Sequence, residues 1–249
     1  MTSALQRFPL RTVLWLAFFG VIAAAWTVMF MMAKMSGVDF IGQPVSGNMM
    51  PMQSFGALFP MWAIMMAAMM LPTMVPTLTN YERLMVSADG TRAGWVGVLA
   101  GYFLVWVAFA AGISLMQIGL LHLHLIDGLG IATSRHFAAT LLILVGTFQF
   151  TRAKDVCHGV CHAPMTYFLG DWRTGFVGGL RMGVGLGAFC VGCCWGFMAL
   201  GFVGGVMSLL WMGLATLLMI FEKLPAVGHY AIKPTGGLLI AGGLAVLVF

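Results

Sequence analysis

The chain has 249 residues, 61% of them hydrophobic and 8% charged, with a mean hydropathy of +1.00. Water-soluble domains carry about 25% charged residues, so a soluble globule is excluded. The formal charge of +5 comes without any basic cluster, which leaves no nucleic-acid surface.

A membrane-spanning helix needs about 20 apolar residues. Unbroken apolar runs recur along this sequence, rather than the alternating segments of about ten residues that build a barrel. In chain order the expected spans are residues 13–35, 57–78, 93–121, 136–150, 176–201, 206–221 and 235–249. The fourth and seventh are short, so the expectation is an all-α polytopic bundle of six or seven spans. Residues 1–249 are expected to form a single integral membrane domain in contact with the lipid bilayer.

Arg7 and Arg11 precede the first run, and Ala23-Ala24-Ala25 looks like a signal-peptide cleavage site. The run continues through Met29, Phe30, Met31 and Met32, long enough for an uncleaved anchor. With the N-terminus inside, nine basic residues from Arg7 to Lys233 fall on one side, against Lys34 and Arg135 on the other. This positive-inside bias predicts a bacterial inner membrane protein with a cytoplasmic N-terminus.

The second span carries two methionine ladders at i, i+4 spacing, Met61-Met65-Met69 and Met66-Met70-Met74. Thioethers are soft ligands that suit Cu(I), which makes Met65 and Met69 candidate metal ligands. Methionine is also a good filler of irregular membrane cores. Met49, Met50 and Met52 cluster in the outer loop that follows the first span. His122, His124, Asp127 and His136 fall in the next outer stretch, without the regular spacing of a metal site.

An inner loop over residues 151–175 carries Cys157-His158-Gly159-Val160-Cys161-His162. Gly159 and Pro164 limit any helix there to about a turn. Cytoplasmic thiols stay reduced, so Cys157, Cys161, His158 and His162 are candidate ligands for copper or zinc. In the fifth span Cys190, Cys193 and Cys194 stand at i, i+3 and i+4, on one helix face. One buried cysteine usually acts as a small hydrophobe. Three within five residues at membrane depth point to a Cu(I) site of two or three thiolates. Arg181 is expected to snorkel or to pair with Glu222 or Asp171, and Glu222-Lys223 to anchor the sixth span at the interface.

These motifs carry a resemblance. Trp62-x-x-Met65-x-x-Ala68-Met69-Met70-x-Pro72-x-x-x-Pro76, Cys157-x-x-x-Cys161-x-x-Pro164, Trp172-Arg173-x-Gly175, Cys190-x-Gly192-Cys193-Cys194-Trp195 and Glu222-Lys223 resemble a bacterial family of predicted metal-binding integral membrane proteins. That family is linked to membrane copper chaperones for copper oxidases. The resemblance implies a helical membrane protein with copper as cargo, held at Cys157, Cys161, Cys190, Cys193 and Cys194. Leu186 stands where members often carry histidine, and His162 where arginine is common.

The leading functional expectation is a non-enzymatic Cu(I)-binding chaperone or assembly factor that delivers metal to a copper oxidase, with a homo-oligomer left open. Two readings compete with it. One is a Cu(I) transporter using the methionine ladders; the other is a thiol–disulfide oxidoreductase using Cys190 and Cys193. No paired-carboxylate or serine-hydrolase constellation is present.

Overall fold

The computed structural model describes residues 2–43, 45, 53–224 and 228–248. The outer methionine cluster Met49, Met50 and Met52 lies outside these residues. The described chain is helical: α1 Thr2–Met35, α2 Phe55–Met70, a 3-10 turn Pro72–Met74, α3 Val75–Ser87, α4 Arg92–His122, α5 Arg135–Phe148, α6 Arg152–His162, α7 Pro164–Gly170, α8 Gly175–Ala199, α9 Gly201–Gly204, α10 Leu209–Lys223 and α11 Gly228–Val248.

Five helical stretches among the described residues are long and apolar enough to cross a membrane: Leu10–Met35, Phe55–Ser87, Arg92–His122, Gly175–Gly204 and Tyr230–Val248. The fourth and sixth expected spans are α5 and α10, of 14 and 15 residues. At 1.5 Å per residue they reach roughly 21 and 22 Å, short of a hydrocarbon core of about 30 Å.

The centre of the bundle is the pair α4 and α8, which run parallel. A Cβ on Gly97 would sit 2.3 Å from the Phe176 carbonyl oxygen, and one on Gly101 would sit 2.1 Å from that of Leu180. From the other side, a Cβ on Gly179 or Gly183 would meet the carbonyl of Gly94 or Val98 at 2.1 and 2.2 Å. Glycines three and four apart on both helices thus let the backbones touch, as small-residue stripes do between membrane helices. The same device joins α5 to α11 in antiparallel sense, with Gly146 against Gly236 and Gly243 against Ala139.

The second long helix is broken in the middle. Pro72 has no N–H to donate, and the chain passes through the 3-10 turn before α3 resumes. Thr73 Oγ1 donates to the Met70 carbonyl at 2.7 Å, which satisfies one acceptor freed by the break. Near one end of the bundle Glu82 accepts from Arg11 and Arg92, tying α1, α3 and α4 together. The break, the end of α10 and the middle of α8 meet at one level.

Candidate metal centre

Cys190, Cys193 and Cys194 lie on α8 and are all buried, at 0%, 3% and 2% exposure. The expected i, i+3, i+4 face is present: Cys193 Sγ is 3.2 Å from Cys194 Sγ and 3.3 Å from the Cys190 carbonyl oxygen. The fourth sulfur comes from α6. Cys161 Sγ is 3.7 Å from Cys193 Sγ, and Cys161, Cys190 and Cys193 offer sulfurs that all lie within 4.8 Å of one another. Cys157, half-buried, packs its sulfur on Gly192, where a Cβ would come within 2.7 Å of it.

This joins two motifs that the sequence left apart. Residues 152–162 are no exposed loop with a single turn of helix; α6 is continuous through Gly159 and folds against α8. Thr151 caps it by accepting from the Lys154 N–H at 3.3 Å. Pro164 opens α7, a first-turn position where its missing N–H costs nothing. The buried face of α6 is Lys154, His158 and Cys161, at i, i+4, i+7. Its open face carries Arg152, Asp155 and Val156.

Two buried lysines flank the thiols. Lys223, the last residue of α10, donates from Nζ to Thr73 Oγ1 at 2.8 Å and to Cys190 Sγ at 3.2 Å. The Tyr102 hydroxyl bridges the same two atoms, 3.2 Å from Thr73 Oγ1 and 3.1 Å from Cys190 Sγ. Lys154 Nζ donates to Glu222 Oε2 at 2.8 Å and to the Cys193 carbonyl at 2.9 Å, and lies 5.4 Å from the Phe197 ring centroid. In the α6 segment, burial pushes the Cys157 thiol above its ordinary value. Burial also works against the Lys154 ammonium, but the Glu222 carboxylate and the thiols of Cys194 and Cys193 outweigh it and raise its pKa.

Glu222-Lys223 is therefore no interface anchor, and both side chains are buried inside the bundle. Glu222 pairs with Lys154, and Asp171 pairs with Arg173, so neither is the partner of the exposed Arg181. Ionisable residues at the end of an apolar run were the available signal for this network. Thr73 and Tyr102 carried no signal of their own.

The histidines are placed differently. His158 Nε2 lies 2.7 Å from the Glu222 carbonyl oxygen, and its ring stacks on His162 at 5.1 Å. Neither belongs to the group of converging sulfurs. Met65 and Met69 are buried and line a small void beside Phe197 and Met198. Of the outer residues, Asp127 Oδ1 accepts from the N–H groups of Leu129 and Ile131 at 3.0 and 2.8 Å. Among the described residues, His122, His124, Asp127 and His136 do not converge three at a time.

Three sulfurs from two helices, with buried ammonium groups beside them, make a compact soft-donor centre. A triangle of sulfurs ~4 Å on a side places its centre ~2.3 Å from each, a metal–thiolate distance. A family model described as PpoB2, copper chaperone, matches residues 59–246, which include every residue of this centre. No curated protein and no solved structure matches the chain.

Proposed function

The chain belongs to the PpoB2 copper chaperone family, and from that premise we propose that it holds Cu(I) on Cys161, Cys190 and Cys193 and hands it to a copper oxidase. The observation that carries this reading is the convergence of those three sulfurs within 4.8 Å. The family points to copper, and Cu(I) is content with two or three soft ligands such as the three sulfurs that converge here. Cys194 at 3.2 Å from Cys193 supplies an alternative thiol for exchange, and Cys157 guards the edge where α6 meets α8.

Lys154 and Lys223 supply positive charge that offsets the thiolates, which otherwise would be costly to bury. In this reading the protein lies in a bacterial inner membrane with its N-terminus cytoplasmic, and α6 is the element a partner moves to release copper. The test is the copper content of the detergent-purified chain, wild type against Cys161→Ser/Cys190→Ser/Cys193→Ser, together with activation of a co-expressed copper oxidase. Equal copper and equal oxidase activation in both would end the proposal.

Transport is the second reading, and the buried ladders Met61-Met65-Met69 and Met66-Met70-Met74 favour it. Saturable Cu(I) uptake by proteoliposomes holding the purified chain alone, lost in Met65→Leu/Met69→Leu, would replace delivery with transport.

A further inference from the structure

Four methionines from three elements line one small void: Met65 and Met69 of α2, Met198 of α8 and Met212 of α10. The void measures about 10 Å³, room for one water-sized sphere. Its other walls are Phe197, Trp211 and small or branched apolar residues. Water needs two to four polar partners to stay in such a place, and the only lining side chain with a polar N or O atom is Trp211, whose buried indole N–H has no partner among the described residues. A methionine used only as filler would close the gap, because an empty space forfeits contacts along its whole lining.

The void has neighbours on both sides. Met198 follows Cys194 by four residues, one turn along the same face of α8. In the other direction, Val206 is shared with a second void of about 10 Å³ lined by Met61, Met207 and Gln117. Gly128 is shared in turn with a cavity of about 500 Å³ lined by His122, His124 and Asp127. Neighbouring cavities thus share wall residues from the far end of α4 to the turn of α8 next to the thiols.

We propose that Met65, Met69, Met198 and Met212 form a second, all-thioether site for a soft monovalent cation, a station between the large cavity and the thiol centre. This rests on the copper reading of the chain. A thioether binds Cu(I) without losing a proton and more weakly than a thiolate, so the station passes the ion on to the cysteines instead of keeping it.

The two sites differ in their response to acid, which makes them separable. Thiols must deprotonate to bind, so protons compete with copper there, whereas the thioether carries no such proton. The experiment titrates the full chain in detergent with Cu(I) under a reductant and a competing chelator, at several pH values between 5 and 8. Two ions per chain are expected, one whose affinity falls as pH falls and a weaker one whose affinity is flat. Cys161→Ser/Cys190→Ser/Cys193→Ser should keep only the flat ion. Met65→Leu/Met69→Leu/Met198→Leu/Met212→Leu should keep only the pH-dependent one, and the pairs Met65→Leu/Met69→Leu and Met198→Leu/Met212→Leu, closer to the native packing, should each weaken the flat ion at least 10-fold. A single ion in the wild type that the cysteine variant loses would sink the thioether site and leave the thiol site standing. A flat ion that survives all the methionine variants would sink it as well.

Discussion

The Nζ of Lys223 lies 3.2 Å from the Sγ of Cys190, although 33 residues separate them. The same ammonium donates to Thr73 Oγ1 at the break in the second long helix. One cation thus ties the end of α10, the interrupted α2 and the thiol face of α8.

Lys223→Met is expected to weaken Cu(I) binding by about 10–100-fold, the range seen when groups that support metal ligands are removed. The ammonium steadies charge on Cys190, and methionine leaves the thiolate unsupported in an apolar interior. Chelator competition on the purified variant measures it. Wild-type affinity in Lys223→Met would show that the lysine does not act on the thiol.

Lys154 and Glu222 make a buried ion pair with 0% and 3% of their side chains exposed. Lys154→Met should cost about 3–5 kcal/mol by stranding the carboxylate. The double change Lys154→Met/Glu222→Leu should recover most of that loss, because no charge is left without a partner. Thermal unfolding in detergent compares the three proteins, and a double variant no better than the single would refute the pairing as the cause.

The contact between α4 and α8 predicts a sharp contrast between glycines. A side chain at Gly183 meets the Val98 carbonyl at 2.2 Å, so Gly183→Leu should abolish monodisperse folded protein. Gly112, on the partner helix α4, has open space around it. Gly112→Ala should be neutral or stabilise by up to about 1 kcal/mol, the helix-propensity difference. Size-exclusion profiles and melting curves read both outcomes.

Copper affinity at the thiol centre should fall as pH falls. Each thiol that becomes a ligand releases a proton, so below its pKa the affinity drops about 10-fold per pH unit for each such thiol. Burial holds the Cys157 thiol up, so this thiol at the edge of the centre stays protonated at neutral pH. Proton release on Cu(I) addition, measured in weak buffer, should be at least two per chain, and a value near zero would rule out thiolate ligation.

Much of this centre was legible in the residues alone. The i, i+3, i+4 spacing placed Cys190, Cys193 and Cys194 on one face, and soft-metal chemistry followed from that. The docking of Cys161 onto Cys193, 32 residues away, was not legible, because helical spacing speaks only within one element. Gly159 misled by its low helix propensity, a deficit of about 1 kcal/mol that packing on α8 overrides. Run lengths marked the fourth and seventh spans as short; the fourth is short, but the seventh is long enough to cross and the sixth is not. That α10 stops at the level of the site needed the partners of Lys223 and Glu222.

Helix α10 stops at the site with its carbonyl end, at Lys223. A helix C-terminus carries about half a negative charge, and discontinuous membrane helices use such ends to hold cations. The place is thus set for positive charge before any thiol ionises, and the Lys223 ammonium already exploits it. A sign preference follows for the cargo. Copper offered as an anionic chloride complex is expected to load only after shedding its halides, so that affinity referred to free Cu(I) stays constant as chloride rises.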